Sequence, residues 1–273
     1  CAVSASAEDV LILGTSADYA PFEFHTEIDG VDTIVGFDVT IGQFIAETIG
    51  VELEITDMSF DNLLISLGKG DFDMVIASMG ATPERQKAVD FSEPYYIPTE
   101  LIVMPADKDD VFKTKEDLVG HTLAAQKGTI CADHAIEVVG EENVVQLVKV
   151  QDMMAELLNG KVEAVVCDDA VGMGYDSMYD ELISKDLGTL TDTIPTCVAI
   201  QKGNSGMVEV VNYILSMIEQ DTLNLRKYTV WPQDKLMEGY EYFLKMKANT
   251  FQDINGFWNG LFEMLEGLKQ TGV

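Results

Sequence analysis

Arg85 is the residue of this sequence whose type and position most directly indicate chemistry. It follows an apolar stretch at 74–77, a turn and a helix-start signal, with Thr82 as the N-cap and Pro83 at the first helical position. The turn contains Ser78, Met79 and Gly80. A cation in the first turn of a helix is disfavoured by the helix dipole, so an anion would explain it. Free helix-start amides and a guanidinium together form a socket for a small carboxylate. The alternative is a solvated arginine on an ordinary helix.

Other polar groups also follow predicted strands. The strand at 9–16 leads into Ser16 and Tyr19, and the strand at 164–166 leads into Asp168 and Asp169. Asp169 fits a helix N-cap, which makes Asp168 the better candidate for facing a cleft. Because binding residues gather at the carboxyl ends of strands in α/β sheets, this convergence favours a binding role for Arg85.

The elements that position these residues alternate between strands and helices with short loops, which predicts an α/β fold with a mainly parallel sheet. We predict strands at 9–16, 51–55, 74–77, 122–125, 144–148, 164–166 and 196–200. Helices are predicted at 38–49, 60–67, 153–158 and 208–218. A further helix is predicted to follow the glycine turn at 126–131 and to run as far as residue 139.

Two extended passages, 99–104 and 196–200, are suited to be hinge strands that cross between two α/β lobes. The predicted first lobe is discontinuous and the second lies within it. The predicted bounds are 9–101 with 199–239 for lobe 1, 102–198 for lobe 2, and 240–273 for a C-terminal helical extension.

The charge balance excludes several classes of partner. The chain of 273 residues has 17 Lys+Arg against 47 Asp+Glu and a formal net charge of −30. Nucleic acid and anionic lipid surfaces both require a basic footprint, so neither is an expected partner. The cysteines, Cys1, Cys131, Cys167 and Cys197, show no metal-ligand spacing, and we expect neither a metal nor a cofactor.

The amino-terminal residues indicate export. Ala5-Ser6-Ala7 fits the end of a secretory signal peptide, and alternatively Cys1 is the lipid-bearing first residue of a bacterial lipoprotein. Either interpretation places the body of the protein outside the cytoplasmic membrane.

The ordered set of motifs over about residues 9–235 resembles the bacterial extracellular amino-acid-binding proteins of ATP-driven importers, solute-binding protein family 3. This group includes glutamine-, histidine- and lysine/arginine/ornithine-binding proteins. The motifs are GTSADYAPFEF, VGFDVTIGQFIAE, ATPERQKAVDFSEPYY, QKGT and NGKVEAVVCDD. The resemblance implies a two-lobed periplasmic-binding-protein type II fold with two hinge strands, which captures a free L-amino acid by hinge closure and is not an enzyme.

The resemblance also implies roles for individual residues. Arg85 would bind the ligand α-carboxylate with the amides of Gly80 and Thr129, and Asp168 would bind the α-ammonium. Tyr19 and Phe60 would stack on the ligand side chain. The remaining implied binding residues are Ser16, Glu23, Ser78, Met79, Gln126 and Ile130.

Some positions depart from the glutamine-binding pattern. Glutamine binders carry a lysine and a histidine where this chain has Gln126 and Cys167, and other relatives carry an aspartate where it has Ser16. Ser16 with Glu23 is more similar to arginine-type binders, so we expect a basic or other polar amino acid.

Two other classes on the same fold remain open. One is a cyclohexadienyl or arogenate dehydratase, which would need an acid–base group over a ring substrate, and the other is a receptor sensor domain. The implied protein partner is the permease subunit of the importer. The apolar spacing from Phe251 to Leu268 predicts a helix that packs on the lobe or on a partner chain, or that leads into a fused permease.

Overall fold

The computed structural model describes residues 10–28, 30–188 and 194–220 of the chain. In these ranges the strands are β1 (Val10–Thr15), β2 (Asp18–Tyr19), β3 (Glu23–Ile28), β4 (Val31–Val35), β5 (Glu52–Asp57), β6 (Met74–Val75), β7 (Val89–Tyr96), β8 (Glu100–Pro105), β9 (Leu123–Gln126), β10 (Val144–Leu147), β11 (Ala164–Asp168), β12 (Leu182–Lys185) and β13 (Thr196–Gln201). The helices are α1 (Phe37–Ile49), α2 (Phe60–Lys69), α3 (Arg85–Ala88), α4 (Ile130–Val139), α5 (Val150–Leu158), α6 (Asp169–Met178) and α7 (Ser205–Gln220).

Two five-stranded sheets organise these elements. The first has the order β5-β1-β6-β13-β7 and contacts α1, α2, α3 and α7. The second has the order β10-β9-β11-β8-β12 and contacts α4, α5 and α6. A small antiparallel sheet, β2-β3-β4, lies beside α1. We call the first sheet, the small sheet and their helices the first lobe, and the second sheet with its helices the second lobe.

The predicted α/β class is confirmed, but the prediction of a mainly parallel sheet is wrong. β1 pairs parallel with β5 and β6, and β9 pairs parallel with β10 and β11. β13 pairs antiparallel with β6 and β7, and β8 pairs antiparallel with β11 and β12. Each of these antiparallel pairs contains β8 or β13, the strands that follow the two passages between the lobes. A parallel pair needs a crossover connection, usually a helix, and in the described part of these passages no such helix precedes the two strands.

Sheet membership shifts the predicted lobe bounds by two or three residues. Strand β8 lies wholly in the second sheet and β13 wholly in the first, so residues 100–101 belong with the second lobe and 196–198 with the first. The chain therefore passes between the lobes after Tyr96 and before Glu100, and again after Lys185 and before Thr196, so that the crossings precede most of each strand predicted as a hinge. The bounds of the C-terminal extension lie outside the described residues.

Helix α1 shows how the sequence pattern becomes packing. Of the apolar positions at helical spacing, Val39, Ile41, Phe44 and Ile45 are buried, whereas Ile49, the last residue of the helix, is 40% exposed. Gly50 ends the helix in the left-handed conformation, with φ of 78°, and its N–H donates to the carbonyls of Ala46 and Glu47. A residue with a side chain would be strained there, which is why glycine ends this helix.

Helix α3 is shorter than predicted. It spans only Arg85–Ala88, and Pro83 lies in the turn before it. Thr82 still acts as an N-terminal acceptor, because its Oγ1 receives the Arg85 N–H at 3.2 Å. A single helical turn has only a small dipole, so the helix dipole does little to disfavour a cation at Arg85. The contacts of the guanidinium explain its position instead.

Candidate functional site

A cavity between the two lobes contains most of the residues that the sequence singled out. It is lined by residues of both lobes. Eleven of the twelve predicted binding residues line it: Ser16, Tyr19, Glu23, Phe60, Ser78, Gly80, Arg85, Gln126, Thr129, Ile130 and Asp168. The lining residues that were not predicted are Ala77, Pro98, Cys131, Ile194 and Thr196.

Met79 is the predicted site residue that does not line the cavity. It is 1% exposed and packs with Leu63 and Val75 in the hydrophobic core of the first lobe. The chain turns at Ser78, which has a φ of 43°, and Ser78 and Gly80 reach the cavity while Met79 packs into the core. Its prediction as a binding residue is therefore wrong, because its apolar side chain belongs to the core.

The Arg85 guanidinium spans the cleft. Its Nη1 donates to the Gly80 carbonyl at 2.7 Å in the first lobe, and its Nη2 donates to the Gly128 carbonyl at 3.0 Å in the second. Its central carbon lies 5.3 Å from the centre of the Phe60 ring. Burial lowers the pKa of Arg85 from its usual high value, and nearby Asp133 and Asp168 oppose that change. The guanidinium has five N–H donors, so others remain for a carboxylate.

Asp168 supplies negative charge from the second lobe. Its carboxylate lies at the amino end of α6 and caps no amide of that helix. The Cys131 thiol lies 3.7 Å from Asp168 Oδ1, and the Asp168 N–H donates to the Tyr19 hydroxyl at 3.3 Å. Burial, and secondly the charge of Asp169, raise the pKa of Asp168 to about 7. A cation in the cavity would therefore stabilise the ionised form.

Asp169 has a different environment from its neighbour. It is the first residue of α6, and its Oδ1 accepts the Tyr96 hydroxyl at 2.5 Å. It is 1% exposed and does not line the cavity. The prediction that Asp168 rather than Asp169 faces the cleft agrees with this placement, although the N-cap position is Asp168.

Glu23 is a buried carboxyl group whose polar neighbour is another carboxyl group, that of Asp38, and no N–H group or cation of the described residues reaches it. It is fully buried and it lines the cavity. Burial, and secondly the adjacent Asp38, raise its pKa well above the usual range. Asp38 Oδ2 accepts from the Ser78 amide at 2.7 Å and the Tyr95 hydroxyl at 2.8 Å. Burial raises the pKa of Asp38 to about 6.

Two hydroxyls of the cavity wall are also left without partners in the described part of the chain. They are Ser78 Oγ and Thr196 Oγ1, and both are buried. Buried polar groups normally form hydrogen bonds, and each one that does not calls for an explanation. Together with Glu23 they mark polar positions that a ligand can satisfy.

The other predicted residues shape the cavity. Thr129 Oγ1 caps α4 by accepting the Ala132 amide at 3.2 Å, and the Thr129 amide donates to the Gln126 carbonyl at 3.3 Å. Gly80 packs closely against Ile130, because a Cβ on Gly80 would lie 2.6 Å from Ile130 Cδ1. Tyr19 is stacked on Phe22, with ring centres 6.1 Å apart.

The lobes are in contact across this cavity. Besides the Arg85 bridge, Lys127 Nζ of the second lobe lies 2.8 Å from Asp61 Oδ2 of the first. The structure is therefore the closed form of a two-lobed molecule. Among the described residues, no cluster of His, Cys, Asp or Glu side chains is arranged to hold a metal ion. In the same ranges, no helix has the length and hydropathy of a membrane span.

Two α/β lobes that close over a small polar cavity, with a cation on one wall and carboxylates on the others, define a protein that binds a small zwitterionic solute. Comparison with known proteins gives the family. The chain belongs to the bacterial extracellular solute-binding proteins, family 3, whose profile matches residues 11–231. The resemblance drawn from the sequence motifs is thereby confirmed.

Individual relatives cover most of this region. The chain is 36% identical over 181 residues to the arginine-binding extracellular protein ArtP of Bacillus subtilis, which is 66% of this chain and 69% of that protein. It is 30% identical over 225 residues to ABC transporter arginine-binding protein 1 of Escherichia coli, or 80% of this chain and 88% of the relative.

A solved structure supports the same fold. It is an amino acid ABC transporter substrate-binding protein from Streptococcus pneumoniae bound to L-arginine, with a TM-score of 0.74 and 32% identity. The similarity covers 81% of this chain and 93% of that one. The two-lobed fold class predicted from the sequence is thereby confirmed.

Proposed function

We propose that the cavity binds a free basic L-amino acid, L-arginine first, between the closing lobes. The observation that carries this proposal is Glu23, a fully buried carboxyl group beside Asp38 that no cation reaches among the described residues, in a cavity that also holds Arg85 and Asp168. A buried carboxylate is costly unless a cation pairs with it. A guanidinium supplies the charge and paired N–H donors that a carboxylate accepts best.

The three charged groups match the three charged groups of arginine. Arg85 binds the α-carboxylate, Asp168 binds the α-ammonium, and Glu23 binds the side chain. Tyr19 and Phe60 pack against its methylene groups, and Ser78 and Thr196 accept or donate the remaining hydrogen bonds. The names of the relatives from Bacillus subtilis and Escherichia coli, both arginine-binding proteins, support this ligand.

We also propose that the protein works outside the cytoplasmic membrane, acts as a binding protein rather than an enzyme, and passes its ligand to the permease subunit of an ABC importer. The family description and the relatives support this role. Attachment through Cys1, a signal peptide ending at Ala7, and a permease fused beyond the predicted C-terminal helix at 240–273 stay predictions. These residues lie outside the described ranges.

A thermal-shift screen of the twenty L-amino acids tests the proposed ligand, since any ligand that binds only the folded state raises the Tm. L-arginine is expected to give the largest increase, and agmatine, which lacks the carboxylate, is expected to give none. A larger increase with glutamine or another neutral amino acid would contradict the basic specificity. A shift with prephenate or arogenate, followed by their consumption, would favour the dehydratase.

A further inference from the structure

We propose that Asp18, a residue outside the cavity lining, holds the closed lobes together and sets the rate at which the bound amino acid leaves. This inference rests on the proposed binding of an amino acid in the cleft. Asp18 begins β2 in the first lobe and lies partly buried between the lobes. It is therefore a positioning residue, which does not line the cavity itself and acts on the ligand through closure and through the cavity residues Ser16 and Gln126 that it contacts.

The contacts of Asp18 reach the second lobe at three places. Its Oδ2 accepts the backbone N–H of Val150 at 2.9 Å. The Gln126 side-chain amide lies 3.3 Å from its Oδ1 and 3.4 Å from its Oδ2. The Gln151 side-chain amide donates to its backbone carbonyl at 3.4 Å. One first-lobe residue thus accepts from three residues of the other lobe.

The contact with Val150 is at the amino end of α5. The first N–H groups of a helix have no partner inside the helix, and a side chain usually caps one of them. The N-cap residue of α5, Lys149, provides no such side-chain bond. Asp18 supplies the missing acceptor from across the cleft, and its negative charge also suits the positive end of the helix dipole.

These bonds favour the closed form selectively. When the lobes separate, the Asp18 carboxylate and the Val150 amide both return to water, so the contact stabilises only the closed state. A conformational equilibrium moves only when an interaction differs between its two states, and this one does. In the closed form Asp18 Oδ1 also accepts the Ser16 hydroxyl at 3.2 Å, so Asp18 orients two cavity residues, Ser16 and Gln126.

The test compares stopped-flow binding of L-arginine to the parent protein, to Asp18→Asn and to Asp18→Ala. In Asp18→Asn, one neutral oxygen replaces the two charged oxygens that accept from Val150, Gln126 and Ser16 in the parent protein. We expect the dissociation rate to rise about tenfold in Asp18→Asn and more in Asp18→Ala, as for loss of a charge-assisted hydrogen bond. The association rate and the Tm of the ligand-free protein should change little, because the open form does not contain the contact.

Asp57→Asn is the matched control. Asp57 Oδ1 accepts the Ala17 amide at 2.8 Å, so it is a nearby carboxylate whose bond stays within the first lobe. It should leave the dissociation rate unchanged. The proposal would be overturned if the dissociation rate rose equally in Asp18→Asn and Asp57→Asn, or if it were unchanged in Asp18→Ala. A fall in the Tm of ligand-free Asp18→Asn would also overturn it.

Failure of the proposed ligand is distinguishable from failure of this contact. A parent protein that does not bind L-arginine contradicts the proposed specificity. The dissociation rates of the same variants, measured with the amino acid that most raises the parent Tm, then decide the role of Asp18. A parent protein that binds no amino acid overturns both.

Discussion

At the scale of single residues, Arg85 is the residue that we assign to binding the ligand α-carboxylate. Its guanidinium donates to the Gly80 carbonyl and faces the Phe60 ring, both within its own lobe, so it is held in place before a ligand arrives. Binding is strengthened when the groups that contact a ligand are already ordered, because less conformational entropy is lost. The fork geometry also suits a carboxylate better than a point charge does.

Arg85→Ala should reduce the affinity for L-arginine at least about 100-fold, within the range for removing one partner of a buried charged pair. Arg85→Lys should also bind poorly, because an ammonium does not reproduce two parallel N–H bonds. Calorimetry measures both variants. The matched control is Lys87→Ala, which removes an exposed cation of the same helix that pairs only with Glu84 in the described part of the chain. An affinity of Arg85→Ala within threefold of that of the parent protein would show that Arg85 does not bind the α-carboxylate.

The carboxyl groups of the cavity predict a pH dependence. Burial raises the pKa of Asp168 to about 7, and it raises the pKa of Glu23 well above its usual range. Asp168 holds a proton in the empty cavity at a pH below about 7, and the raised pKa of Glu23 likewise favours its protonated form, so a cationic ligand must displace these protons. Binding therefore releases protons, and affinity falls as the pH is lowered.

We expect the affinity for L-arginine to decrease from pH 8 to pH 5.5, by up to about tenfold per pH unit for each proton displaced. Calorimetry in two buffers with different ionisation enthalpies counts the protons. The absence of proton release on binding, together with an affinity that is constant across this range, would show that these carboxyl groups are already ionised in the empty cavity.

At the scale of elements, the segment from β1 to α1 places Tyr19 and Glu23 in the cavity. Gly36 lies in this segment and packs directly against its backbone at Phe22. A Cβ on Gly36 would lie 2.2 Å from the Phe22 carbonyl oxygen, and its φ of 129° suits only glycine. The Asp38 amide that follows donates to the same carbonyl at 2.9 Å. The close approach of two backbone segments therefore requires glycine here.

Gly36→Ala should lower the free energy of unfolding by roughly 2 to 4 kcal/mol, because backbone atoms rather than a flexible side chain would have to move. Urea unfolding of the ligand-free protein measures it. Gly30→Ala is the control, since Gly30 also has a positive φ, of 79°, but a Cβ there meets nothing within 4 Å. Equal destabilisation in the two variants would show that the strained φ alone, and not the contact with Phe22, explains the loss.

The sequence predicted the elements better than their pairing. Helical spacing and glycine ends located α1 and α2 closely, because one face of each helix must be apolar and the left-handed end favours glycine. Strand direction was not encoded in local pattern. A buried strand such as β13 has the same apolar composition whether its neighbours run parallel or antiparallel, so the mixed sheets were not predictable from periodicity.

The site was predictable where residues follow motifs and not where they depend on the path of the chain. Arg85 was found because a cation is unusual in the first turn of a helix, and Asp168 because it follows a predicted strand. Pro98 and Ile194 were missed because they lie in the connections between lobes and have no chemical signal. Met79 was included only because it lies between two cavity residues, and the turn at Ser78 sends it into the core.

At the scale of the whole molecule, closure brings opposite charges onto one small solute. The first lobe contributes Arg85 and Glu23, and the second contributes Asp168, so neither lobe alone holds all three charged groups. The chain as a whole has a formal net charge of −30. An acidic protein attracts cationic solutes at long range, and this attraction weakens as salt is added. Both properties fit a ligand with net positive charge.

The most direct test of the account is the calorimetric affinity of L-arginine against L-citrulline, which replaces the guanidinium with a neutral group of nearly the same shape. Both share the α-carboxylate and α-ammonium, so the comparison isolates the contact with Glu23. The account predicts that the parent protein prefers L-arginine by at least about 100-fold and that Glu23→Gln loses this preference, as for breaking a buried charged pair. Equal affinity of the parent for the two ligands, or a preference that survives in Glu23→Gln, would contradict it.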